Sequence, residues 1–132
     1  MMEWVNKDYQ SPLPNIWMGA SVEDQKTADE RIPWLLQTPA AVRFVSVEPM
    51  LGQIYLYPYL IHNKNNDRLN WVICGCESGP EARPMNLDWA RSLRDECRIA
   101  GVPFFFKQAK IDGKLVKMPE IDGRIWDEYP EK

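Results

Sequence analysis

From position 15 to position 108 the chain alternates short, nearly continuous apolar runs with segments whose apolar residues recur at helical spacing. Positions 15–22, 42–47, 71–76 and 102–106 are runs of this first kind, rich in β-branched and aromatic residues, and each predicts a buried strand. After the first run, Ala28, Ile32, Leu35 and Leu36 lie on one helical face, with Asp24 placed to cap the helix and Pro33 predicting a kink or a split into two short helices. Leu87, Ala90, Leu93 and Cys97 define a second helical face, opened by Asn86 and ended by Gly101 and Pro103. Positions 55–61 are ambiguous, and 63–67 read as a polar loop tip that follows His62.

Strands that are apolar on both faces and alternate with helices predict an α/β fold with a parallel sheet. About four parallel strands with flanking helices are expected in a domain over 15–110. Residues 1–14, broken by Pro12 and Pro14, read as an N-terminal arm, with Trp4 and Tyr9 suited to docking. Residues 111–132 read as a tail with turns at Asp112-Gly113 and Asp122-Gly123, the first a plausible hairpin.

The polar residues gather where these strands end. Ser21 and Glu23, Ser46 and Glu48, Glu77 and Ser78, and Lys107 and Gln108 occupy equivalent positions after successive runs. In parallel α/β folds the carboxyl ends of the strands carry the site, so these side chains are expected on one rim able to hold a polar small molecule. Strand-end acids also cap helices, and Glu23 is placed to do so. Gly75 and Gly79 flank Cys76-Glu77-Ser78, where a backbone can approach a ligand or merely turn tightly. Arg83 is placed either to reach an anion or to pair with Glu81.

The chain has 132 residues, a net charge of −3, three cysteines and one histidine. One domain with an ordinary core fits that length. The acidic balance argues against a nucleic-acid partner. No apolar window spans a membrane and no export signal is visible at the N-terminus, so a cytoplasmic location is expected. Cys74, Cys76 and Cys97 lack the spacing of a metal-binding set and read as small buried hydrophobes. No metal site, Ser/His/Asp triad, P-loop or dinucleotide fingerprint is visible.

Several motifs carry a resemblance. They are Asn15-Ile16-Trp17-Met18-Gly19-Ala20-Ser21-Val22-Glu23, Arg43-Phe44-Val45-Ser46-Val47-Glu48-Pro49-Met50-Leu51-Gly52, Trp71-Val72-Ile73 with Gly75 and Glu77-Ser78-Gly79, Ala82-Arg83-Pro84-Met85, and Val102-Pro103-Phe104-Phe105-Phe106-Lys107-Gln108. In that order the chain resembles a family of phage and prophage proteins of unknown function described as radical-SAM-like three-cysteine-motif proteins. The resemblance implies a (β/α) barrel, here a partial or half barrel, because the cysteine triplet of the family belongs to an N-terminal half not contained in these residues. It also implies S-adenosylmethionine and an iron–sulfur cluster as family ligands. The cluster would need thiolates at set spacing, and Cys76 stands where the family has a second glycine after Gly75.

Two functions are expected on this basis. One is a protein-binding module or non-catalytic subunit that forms a homodimer or docks on another protein, such as a host target, and is not catalytic alone. The other is the C-terminal subunit of a split enzyme that binds S-adenosylmethionine together with a cluster-bearing half. The expected ligand-binding set is Ser21, Glu23, Ser46, Glu48, Gly75, Glu77, Ser78, Arg83, Lys107 and Gln108.

Overall fold

The computed structural model describes residues 16–130, so the expected N-terminal arm lies outside the described residues. The chain folds as β1 (Trp17–Val22), α1 (Gln25–Leu36), β2 (Val42–Val47), α2 (Tyr57–Leu60), β3 (Trp71–Gly75), α3 (Leu87–Ala100), β4 (Phe104–Ile111), β5 (Lys114–Lys117), β6 (Glu120–Ile121) and β7 (Arg124–Ile125). Strands β1 to β4 are parallel and adjacent in sequence order, and β5 adds an antiparallel edge next to β4. A partial arc of parallel α/β structure is therefore present. Its edges, β1 and β5, are not joined to each other among the described residues.

Both long helices begin at a side-chain cap, and α3 ends at a glycine. Asp24 accepts the Thr27 N–H at 2.9 Å while the Thr27 hydroxyl oxygen accepts the Asp24 N–H, a reciprocal cap that satisfies two otherwise orphaned donors. Asn86 caps α3 through the Asp88 N–H, and Gly101 closes it at φ 74°, a conformation costly for any residue with a Cβ. Pro33 does not split α1: α1 is a single helix of 12 residues, with Ile32, Leu35 and Leu36 buried on either side of the proline. Packing of that apolar face outweighs the missing backbone donor.

The fourth strand is longer than its apolar run. It continues past Phe106 to Ile111 because the turn at Asp112 and Gly113, with φ of 52° and 78°, folds β5 back onto it. The second Asp-Gly turn closes β6 on β7 in the same manner. The tail is part of the main core, since Ile121 and Trp126 are buried there and Phe105 forms a bridge to Asp127.

Crossovers of one hand that step in one direction across a sheet must all return over the same face. The core bears this out. Val22, Val45, Val47, Val72, Cys74, Phe104 and Phe106 point to one face and pack beneath Ala28, Ile32 and Leu35 of α1 and Ala90, Leu93 and Cys97 of α3. The opposite face is built from the alternate positions, in register rows Gly19–Phe44–Trp71 and Ser21–Ser46–Ile73–Phe105. No described helix covers it, and apart from Val42 and Trp71 near its amino end and Gly75 near its carboxyl end its residues are half-buried or exposed.

Candidate functional site

The open face has two zones. Toward the amino ends of the strands it is aromatic. Trp71 meets Trp17, Phe44 and Phe105 with ring centroids 5.9, 5.7 and 6.2 Å apart, and Tyr129 closes the group 5.3 Å from both Trp71 and Phe105. The Trp71 indole N–H is satisfied by the Glu128 carbonyl at 2.8 Å. Gly19 is required here, because a Cβ at that position would lie 2.3 Å from the Phe44 ring.

Toward the carboxyl ends the face turns polar. The Ser46 hydroxyl donates to Glu48 Oε1 at 2.9 Å, and Lys107 Nζ stands 3.4 Å from Glu48 Oε2. The carboxylate lies over Gly75, where a Cβ would sit 3.1 Å from Glu48 Oε2. The glycine therefore serves the approach of a side chain from β2, and the chain beyond that side chain is tied down as Met50 N–H donates to the Gly75 carbonyl at 3.0 Å. Ser21 is exposed and stands beside Ser46 in register. Ser46, Glu48, Gly75 and Lys107 thus form one cluster from three neighbouring strands and the turn after β2.

Other residues expected on the rim are already engaged. Gln108 is buried: its amide donates to the Cys76 carbonyl at 2.9 Å and its carbonyl accepts from Lys117 Nζ at 3.0 Å. It fastens the end of β3 to β4 and β5. Arg83 pairs with Glu77 and not with Glu81. Its guanidinium donates to both carboxylate oxygens at 2.7 and 2.9 Å, and its backbone N–H adds a third bond at 2.8 Å. These donors hold the Glu77 carboxyl down at about 2, from an ordinary 4.5, and raise the arginine in turn. Glu23 sends its N–H to the Thr27 hydroxyl and its carbonyl accepts the Leu51 N–H, so its backbone braces the turn while Asp24 does the capping. Ser78 is exposed in the loop after β3.

The cysteines do not fit a metal cluster. Cys74 and Cys97 are wholly buried in the core, where desolvation pushes both thiols upward and keeps them protonated. Cys76 is also buried and its thiol is raised, mainly by desolvation. No group of three or more potential metal ligands occurs among the described residues. No described helix is long and apolar enough to cross a membrane.

Sequence reasoning missed the aromatic zone. Trp71, Phe105 and Tyr129 come from separate runs, and only the register of β3 against β4 and the return of the tail bring them together. The period-two alternation in 104–107, with Phe105 and Lys107 on one side and Phe104 and Phe106 on the other, was the available signal.

Residues 1–130 match the model of a family described as a protein of unknown function (DUF5131). No curated protein and no solved structure matches the chain.

Proposed function

Since the chain belongs to the DUF5131 family of unknown function, we propose, from the geometry of its open face, that it is a protein-binding module completed by a second polypeptide. The observation that carries this reading is the one-sided coverage of the parallel sheet. Parallel sheets are ordinarily sheathed on both faces, because their strands are apolar on both. Here one face lies under α1 and α3, while Phe44, Ile73 and Phe105 on the other remain half-buried. The outer edge of β1 adds a second invitation: Trp17–Val22 carries no charge and no proline, the usual devices that blunt an edge. A partner that supplies neighbouring strands would bury Phe44, Ile73 and Phe105 and meet the polar cluster at Glu48 and Lys107. The resemblance to phage and prophage proteins extends the reading to a host protein as that partner, and without it the face pairs with a second copy.

The test is a pair of surface substitutions. Ile73→Glu, on the open face, should abolish self-association while leaving the far-UV spectrum native. Trp34→Glu, on the helix side and 63% exposed, should leave association intact. Equal behaviour of the two variants would remove the open face from the account.

A second reading is favoured by the Ser46–Glu48–Lys107 cluster alone. A carboxylate and an ammonium side by side match the two charges of an amino-acid tail, such as that of S-adenosylmethionine, in a complex with a separate cluster-bearing half. Titration calorimetry of such a complex decides it. Binding of S-adenosylmethionine that survives Glu48→Ala would exclude this cluster as the tail's site.

A further inference from the structure

At the end of the sheet opposite the polar cluster lies a second, separate feature. The amino ends of β3 and β4, the carboxyl end of α3 and residues 124–130 enclose an open cleft of about 800 Å3. Among the described residues three guanidiniums, those of Arg68, Arg98 and Arg124, line it with one carboxylate, Glu128. This local excess of positive charge stands out in a chain whose net charge is −3.

The arginines are held in different ways. Arg68 Nη1 donates to the carbonyls of Leu60 and Ala100, fixing a positive charge at the carboxyl end of α3. Its Nε is buried without an acceptor. Arg124 lies 4.0 Å over the centre of the Trp126 ring and shares Glu128 at 3.2 Å, an exposed pair of small energetic weight. The other oxygen of Glu128 is spent on the Phe104 N–H at 3.0 Å. Arg98 is exposed, sits 5.8 Å from the same indole and has no carboxylate partner among the described residues. Trp126 thus faces three guanidiniums, Arg94 at 5.1 Å besides these two, and neutralises none of them; Arg94 is instead paired with Asp95 and Asp122. Beside them Tyr129 is 61% exposed, with its ring backed by Trp71 and Phe105.

We propose that this cleft binds a nucleotide, with its phosphates on Arg98 and Arg124 and its base stacked on Tyr129. Planar guanidinium forks match phosphate oxygens, and a rigidly backed aromatic ring accepts any base on its free face. The net negative charge of the chain favours a small nucleotide over a long polyanion, which it would repel.

Calorimetric titrations with ATP, inorganic tripolyphosphate and adenosine at one ionic strength test this. ATP should bind about tenfold tighter than either fragment, because it engages both the arginines and the ring. Arg98→Ala should weaken ATP by about tenfold, the size expected for loss of a charge-assisted hydrogen bond. Arg98 is exposed on α3, so this variant folds even if Arg124→Ala does not. Tyr129→Ala should weaken ATP but leave tripolyphosphate unchanged. Lys26→Ala, exposed on α1 away from the cleft, should change nothing. Absence of heat at millimolar ATP, or unchanged binding in Arg98→Ala, overturns the site. Tripolyphosphate binding as tightly as ATP overturns the nucleotide assignment.

Discussion

The two faces of the sheet are made from the same strands and behave as different materials. On the helix side Val45, Val47, Val72, Cys74, Phe104 and Phe106 are sealed under α1 and α3. On the open side Phe44, Ile73 and Phe105 are half-buried, with Phe44 against Trp71 and Phe105 against Trp71 and Tyr129, and the rows end in Ser46, Glu48 and Lys107. Residues one position apart therefore differ in role. Stability resides on the covered face, and the proposed function assigns binding to the other. An apolar side chain that is half-exposed in the free chain has burial energy still to gain, which is what a docking face requires.

The largest effect should separate neighbours on one strand. Phe104→Ala empties a site in the sealed core and should cost about 3–5 kcal/mol, read as a lower urea midpoint. Phe105→Ala, one residue on, removes a half-buried ring and should cost less than half as much in the free chain. Equal losses would mean that the open face is already a core. An intermediate effect is expected at Gly19, which admits the Phe44 ring. Gly19→Ala should cost about 1–3 kcal/mol by forcing that ring aside, measured in the same way, and an unchanged midpoint would show that the aromatic zone is loosely packed.

The smallest effect lies in the loop after β3. Because Arg83 depresses the Glu77 carboxyl, the pair stabilises the fold above the ordinary pKa of 4.5, and this contribution fades as pH falls from there toward about 2. Both groups are solvent-exposed, so the change should be slight in unfolding experiments and clear in NMR titration of Glu77. Its midpoint should return toward 4.5 in Arg83→Ala, and a midpoint near 4.5 in the unmutated chain would refute the pairing.

Periodicity made the covered half of this molecule legible. The apolar runs gave the four parallel strands, helical spacing gave α1 and α3 with their inner faces, and Asp24, Asn86 and Gly101 marked helix ends. These are local signals, each contained within a few residues. The hairpin at Asp112-Gly113 was legible for the same reason, since its turn residues adopt positive φ. At Pro33 the alternative of two separate helices failed because packing of the surrounding helical face overrode the proline's propensity to break. The strand-end cluster was only half legible. Sequence position placed Ser46, Glu48, Gly75 and Lys107 at one level, but it did not distinguish them from Gln108, whose polar ends are taken up by Cys76 and Lys117, or from Arg83, which turns to Glu77. Those choices depend on partners 6 to 32 residues away along the chain. The arginine cleft was not legible at all, because Arg68, Arg98 and Arg124 meet only when the tail folds under the sheet.

The claim on which the rest depends is that the face without helices is a binding face. Light scattering of the purified chain, coupled to size separation and run over a rising series of micromolar concentrations, addresses it most directly. The account predicts a mass that climbs from 15.4 kDa toward twice that value as concentration increases, and returns to 15.4 kDa in Ile73→Glu. A chain that stays at 15.4 kDa throughout the series would contradict it.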